Sequence, residues 1–170
     1  DGRLEPLDIG KIHFVVEEAC EGLTGVSSSQ IEINANIQFY DGITTKDIQH
    51  VLVKSANDLI TLENPNYQYA AARLLSYDVR KEAHGQYEYI PLLKLILRNI
   101  KLGVYDRTIV EKYHKSEIKK FNTWIKRDRD LDFTYAGLRQ VVDKYLVQDR
   151  SSGEIYETPQ DMYMMIAATL

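Results

Sequence analysis

Three features of the sequence predict a mainly α-helical chain. Between its glycines and prolines, apolar residues recur at spacings of three and four over most of the length. Asp, Ser and Thr stand ahead of these stretches, where N-caps belong. Strand-like segments are confined to residues 3–7 and 145–157. With 170 residues, 44% of them hydrophobic, the chain can bury one modest core or two small ones.

The chain opens on Asp1-Gly2, a turn-forming pair with no strand before it. Half a hairpin is therefore expected, with Arg3 to Leu7 as its second strand. Asp8 suits an N-cap, and Ile12, Val15, Val16, Ala19, Cys20 and Leu23 follow at helical spacing until Gly22 and Gly25. A second, shorter helix starts at Ser27 to Ser29 and runs through Ile37, closed by Asp41-Gly42. Thr44 or Thr45 caps a third, with Ile48, Val51, Leu52, Ser55, Leu59 and Ile60 on its buried face. Pro65 breaks it, and a fourth helix runs from about Asn66 to Ala83, rich in alanine at Ala70 to Ala72, and stops at Gly85. Ile12, Val16, Leu23, Ile48, Leu52, Leu59 and Leu74 are expected in the core.

In the second half, Pro91 to Leu102 is apolar almost all round, which predicts a helix packed on more than one side and closed by Gly103. Helices are expected around Glu111 to Lys126 and Thr134 to Lys144. Tyr145 to Gln148 and Glu154 to Glu157 read as two short strands joined by a Ser-Ser-Gly turn. A last helix, Gln160 to Leu170, is apolar on most of its surface and ends without a cap, so a longer natural chain is expected. The domain boundary is placed near residue 88, giving domains 1–88 and 89–170.

Composition excludes several classes of function. The net charge of −4 divides into −7 over residues 1–88 and +3 over 89–170, so neither half offers a basic nucleic-acid surface. No apolar run reaches the roughly 20 residues of a membrane span, and no signal peptide is visible. The expectation is a soluble, cytoplasmic protein with neither membrane nor nucleic acid as partner. One cysteine, Cys20, forms no internal disulfide and fits a buried small hydrophobe; no Cys-x-x-Cys pair suggests zinc. No Ser/His/Asp set, metal cluster or Gly-x-x-x-x-Gly-Lys loop is present, so no catalytic residue is assigned. Arg127-Asp-Arg-Asp130 reads most simply as a structural salt-bridge knot.

A polyanionic ligand would need cations and backbone donors concentrated locally in the acidic half. Lys11 and Lys81 are two of its seven basic residues. Thr45 and Gln49 lie one turn apart at the start of the third helix, where free N–H groups and the dipole favour phosphate. Tyr77 and Lys81 repeat that spacing on the fourth helix. With Glu5, Asp8, Lys11 and Ile12, these pairs could enclose one ligand. Taken singly, each is more often a solvated charge or a cap.

The segments Asp1 to His13 and Ile37 to Ile48 resemble the nucleotide-contacting stretches of an ATP-cone. With Tyr67 to Leu74, Arg127 to Asp130 and Lys144 to Glu157, nearly the whole chain resembles the N-terminal quarter of the large (α) subunit of class I ribonucleotide reductase. That resemblance implies a four-helix cone with a short N-terminal β-hairpin, here truncated, followed by a helical region with a small β-hairpin that begins the reductase catalytic part. It implies ATP or dATP as allosteric effector, with an accompanying magnesium ion left open. The implied partners are the radical-carrying small subunit and further copies of the large one. The implied process is the reduction of ribonucleoside diphosphates for DNA synthesis, regulated by this region and catalysed by residues beyond it. By the same resemblance Glu5 and Asp8 face the adenine edge, Ile12 packs on the base, Lys11, Thr45 and Lys81 reach ribose or phosphates, and Gln49 and Tyr77 complete the nucleotide site.

Three departures from the family pattern matter. A basic pair that precedes the Asp-Gly turn in the family is missing from this sequence, so weaker phosphate binding is expected. Gln49 stands where many members have histidine, and glutamine cannot become cationic; His50, one helical step away, points elsewhere. Asp8 replaces a frequent asparagine, keeping acceptors but losing a donor. Of two other readings, a nucleotide-sensing transcription repressor is disfavoured by the missing Cys-x-x-Cys pairs and by residues 144–157. A cone reduced to an interaction module is disfavoured by retained Glu5, Lys11, Thr45 and Lys81.

Overall fold

The structure is a computed structural model, and it describes residues 4–170. Among these residues it is mainly helical: α1 Ile9–Cys20, α2 Ser28–Asn36, α3 Thr45–Asp58, α4 Tyr67–His84, α5 Leu92–Lys101, α6 Thr108–Lys112, α7 Lys115–Trp124, α8 Tyr135–Lys144 and α9 Pro159–Thr169, with a 3-10 segment, Arg127–Asp132, before α8. Packing divides the chain into two compact units, Asp1–Asp78 with Asp132–Leu138, and Val79–Leu131 with Arg139–Leu170. Helix α4 runs through the division.

In the first unit each helix starts on the residue type that favours starting. Asp8 accepts the Lys11 N–H at 3.1 Å, Ser27 that of Gln30 at 3.3 Å and Thr44 that of Asp47 at 3.1 Å, each occupying a donor the helix cannot satisfy internally. Gly22, at φ +71°, ends α1 in the left-handed region. α1 buries Ile12, Val16 and Ala19, α2 buries Ile31 and Ala35, and α3 buries Leu52, Val53, Ser55 and Ala56. Ala70, Ala71, Ala72 and Leu74 of α4 are fully buried as well. Each large aliphatic so removed from water contributes about 1.5–3 kcal/mol. Polar ties fix the chain between α1 and α2: Asn66 donates to the Thr24 carbonyl at 2.9 Å, and the Ser27 N–H donates to the Tyr67 hydroxyl at 3.1 Å. The Arg73 guanidinium donates to the Ala19 and Glu21 carbonyls at 3.2 and 2.7 Å. It thereby closes the C-terminus of a helix that has no basic residue in its own last turn.

Some sequence expectations shift. Arg3 lies outside the described residues, and Leu4 to Leu7 are exposed and form no strand, since an isolated strand has nothing to hydrogen-bond. Leu23, Ile48 and Leu59 are only half-buried, because they sit beyond a helix end, in a first turn and at a C-cap.

The second unit packs Ile90, Leu92, Leu95, Ile96, Ile109, Ile118 and Ala168 into one cluster. Helix α5 is amphipathic rather than packed on several sides: Leu97 is 44% exposed, and cations occupy the same side. The helix expected over 111–126 is two, because His114 caps α7. Its ring accepts the Ser116 N–H at 3.3 Å while Glu117 accepts the His114 N–H at 2.8 Å. The hairpin expected over 145–157 shrinks to one antiparallel bridge, Gln148 with Ile155, turned at Gly153 with φ +76°.

A buried polar network joins α4, the 3-10 segment and the start of α9. Asp161, fully buried, accepts from the Thr158 N–H at 3.2 Å, the Thr158 hydroxyl at 2.7 Å and His84 Nε2 at 3.1 Å. Its other oxygen lies 2.6 Å from the Arg127 guanidinium. His84 Nδ1 accepts the Ile90 N–H at 3.2 Å, which places the ring proton on Nε2. Arg127 thus forms a structural salt bridge, and its partner is an acid 34 residues on. Asp130 is also fully buried, and burial pushes its carboxyl up to about 7. Nearby, Glu157 accepts from the Tyr105 hydroxyl and from the Val147 N–H.

Candidate functional site

The residues singled out in the acidic half fall into three places in the structure. At the start of α1, Asp8 caps the helix, its second oxygen stands 3.6 Å from Lys11 Nζ, and both side chains are more than half exposed. Ile12 follows, 8% exposed, with its N–H on the Asp8 carbonyl. Glu5 is exposed just before this turn. Gly10 belongs to the same turn: a Cβ there would stand 3.2 Å from the Asp8 carboxylate, tight enough to disturb the cap. The result is an exposed acceptor beside an exposed ammonium, above an apolar side chain.

At the start of α3, Thr44 takes the capping role, which leaves Thr45 as the first helical residue, exposed and outside every side-chain hydrogen bond among the described residues. Gln49, one turn on, is half-buried and donates through Nε2 to the Leu74 carbonyl at 2.8 Å. It is thus a strut from α3 to α4, with its Oε1 and its second amide N–H uncommitted among the described residues. His50, beside it, lies 3.5 Å from Asp78, one turn farther along α4 than Leu74. Asp47 puts a negative charge into the first turn of α3, which stabilises the helix and opposes an anion at the same place.

On α4, Tyr77 is 5% exposed and Lys81 is exposed one turn later. Packing assigns Tyr77 to the first unit and Lys81 to the second. The structure therefore brings together Asp8, Lys11 and Ile12, places Gln49 on α4 at Leu74, and leaves Glu5 and Thr45 at the surface.

Sequence reasoning missed Arg73 and the pair of His50 with Asp78, both of which order the helices around these residues. A basic residue set among alanines on a buried helix was the available sign for Arg73; nothing local announces a side-chain contact between separate helices. His13 bridges Glu32 at 2.8 Å and Glu17 at 3.2 Å, and those acids raise its pKa, Glu32 first through its hydrogen bond. Burial pushes the Cys20 thiol up to about 11, the mark of an unreactive side chain. Among the described residues, no group of three or more His, Cys, Asp or Glu could hold a metal ion. No helix among them is long and apolar enough to cross a membrane.

Comparison with known proteins gives this arrangement its class. Residues 1–82 match the ATP cone domain, and residues 131–170 match the ribonucleotide reductase all-alpha domain. The chain thus carries an ATP-cone followed by reductase all-α sequence, and over its whole length it is homologous to the N-terminal region of class I ribonucleotide reductase α subunits. It is 46% identical over 170 residues to ribonucleoside-diphosphate reductase 1 subunit alpha of Salmonella typhimurium and likewise to that of Escherichia coli. With the subunit alpha of Enterobacteria phage T4 the identity is 41% over 171 residues. These alignments cover 99 to 100% of this chain and 22% of each relative, so the chain spans about a fifth of the length of the curated relatives it matches.

Proposed function

We propose that this chain is the allosteric N-terminal region of a ribonucleoside-diphosphate reductase large subunit, in which ATP or dATP sets the activity of a catalytic part that lies elsewhere. The observation that carries the reading is the ATP-cone match over residues 1–82, in which the start of α1 groups exposed Asp8 and Lys11 beside buried Ile12. In this proposal residues 1–88 are the cone and 89–170 the start of the reductase body.

The adenine edge meets Glu5 and Asp8, Ile12 packs on the base, and Lys11, Thr45 and Lys81 serve ribose or phosphates. Gln49 and Tyr77 support the site from α3 and α4, with magnesium accompanying the phosphates. ATP and dATP differ by one hydroxyl, so regulation requires contacts that differ between two assembly states. Those states involve the radical-carrying small subunit and further large subunits, in a cytoplasmic setting.

Calorimetric titration of ATP, dATP and GTP, with and without magnesium, tests the reading. Lys81→Ala should weaken ATP and dATP alike, because a phosphate contact does not sense the 2′ position. A charge-assisted bond of about 1.5–3 kcal/mol corresponds to a roughly ten- to hundredfold loss. Glu5→Ala should instead narrow the preference for adenine over guanine. Absence of heat with both adenine nucleotides at millimolar concentration would overturn the proposal.

A further inference from the structure

A groove of about 580 Å³ runs along α5 toward α7 in the second unit. Leu93 and Leu97 are in its lining, and Leu97 is 44% exposed. Around them stand Lys94, Arg98 and Lys101 of α5 and Lys119 of α7. The three α5 cations are spaced four and three residues apart, hence on one side of the helix.

None of these charges is compensated locally. No acidic residue occurs between Glu88 and Asp106, and none lines the groove. Lys94, Lys101 and Lys119 form no ion pair among the described residues. Arg98 donates to neutral acceptors, the carbonyls of Ala83 and Tyr156 and the Asn99 side-chain oxygen. A chain of net charge −4 thus concentrates four cations without an acidic partner around exposed Leu97 and part-buried Leu93.

We propose that this groove docks an acidic amphipathic helix of a protein partner, its apolar face on Leu93 and Leu97 and its carboxylates on the surrounding lysines. The length fits: ten residues of α5 extend about 15 Å, the reach of nearly three turns of a docked helix read at i, i+4 and i+7. The charge fits as well, since clustered cations steer an anionic partner and select against a basic one. A phosphate-bearing ligand fits less well. The Leu92 N–H at the start of α5 is already held by Asn122 at 2.9 Å, the Arg98 fork is committed, and the lining is largely apolar.

A fluorescent helical peptide of about 14 residues, with leucines at i, i+4 and i+7 flanked by glutamates, is the probe. Titrated with the 170-residue chain, it should bind and should weaken as salt rises from about 0.05 to about 0.3 M. The double change Lys94→Glu and Lys101→Glu should reduce affinity at least about tenfold, as should Leu97→Asp, whereas Lys126→Glu should change little. Hydrogen exchange should show protection at residues 91–102 and 115–122. Equal affinity in the charge-reversed chain, or protection elsewhere, would overturn the proposal. So would anionic vesicles or polyphosphate binding with the same residue dependence while the peptide does not.

Discussion

In the first unit each of these ionisable pairs keeps at least one member half exposed or more: Asp8 with Lys11, His13 with Glu17 and Glu32, His50 with Asp78. In the second, His84 and Asp161 meet with no exposed side-chain surface, and Arg127 joins them at one-fifth exposure. Exposed pairs are screened by water and contribute little. Buried ones have lost their hydration and depend on every partner. Half-exposed groups such as Asp8 and Lys11 can therefore exchange water for a ligand at small cost, whereas His84, Asp161 and Arg127 are already committed to each other. Side-chain chemistry open to a nucleotide belongs with the first arrangement.

The comparison breaks most visibly at Asp161. Asp161→Ala leaves Arg127 and His84 without their acceptor and should cost about 3–5 kcal/mol. His13→Ala, at the surface of the first unit, should cost much less. Urea unfolding followed by circular dichroism measures both, and equal losses would show that burial is not what separates the two units. Next in size is Leu52→Ala in the apolar core of the first unit. Leu52 is 2% exposed, so its truncation should cost about 2–5 kcal/mol. A loss below about 1 kcal/mol would mean that α3 is held by its polar struts rather than by packing.

The same contrast governs what the sequence disclosed. Helix starts were legible at Asp8, Ser27 and Thr44 because a cap is a local device, acting over three residues. The Thr44 or Thr45 alternative stayed open because both carry the same hydroxyl. The strand over residues 3–7 and the single helix over 111–126 were misread for one reason: alternation and periodicity do not report whether a pairing strand or an interrupting cap is present. His114 was invisible as a cap, being outside the usual set. The buried network was illegible because Asp161 lies 77 residues from His84 and 34 from Arg127. Of the proposed nucleotide site, only a family resemblance was legible, and the roles of its residues stand as proposals. The strut from Gln49 to Leu74 was not legible, because it depends on where one helix lies against another.

A pH series probes the second unit with a smaller effect. Asp130 has a folded pKa of about 7 against an ordinary 3.8, so between those values the folded chain holds a proton that the unfolded chain has released. Stability should therefore fall as pH rises from about 4 through 7 and level off above. Glu157, also raised by burial, adds to the same slope. Asp161, lowered by His84 and Arg127 despite its burial, acts oppositely and only below its ordinary value, where acid removes its contribution. Asp130→Asn should flatten most of the decline in midpoint denaturant concentration between pH 5 and pH 8. An unchanged slope would move the titration away from Asp130.

The finest test is Gln49, half-buried in the first unit with its amide held by a neighbouring helix. Its N–H meets a carbonyl in the middle of α4, where the helix ladder supplies a donor of its own. Removing it strands no acceptor, and Gln49→Ala should cost only about 0.5–1.5 kcal/mol in unfolding experiments. If Gln49 acts on a nucleotide through the position of α3, the affinities for ATP and dATP should fall together and by a similar factor. If its Oε1 instead touches the ribose, the two should separate, because only ATP offers a 2′-hydroxyl to that acceptor. Parallel losses would extend the committed character of the second unit into the edge of the nucleotide site. Diverging losses would make Gln49 the residue that tells one effector from the other.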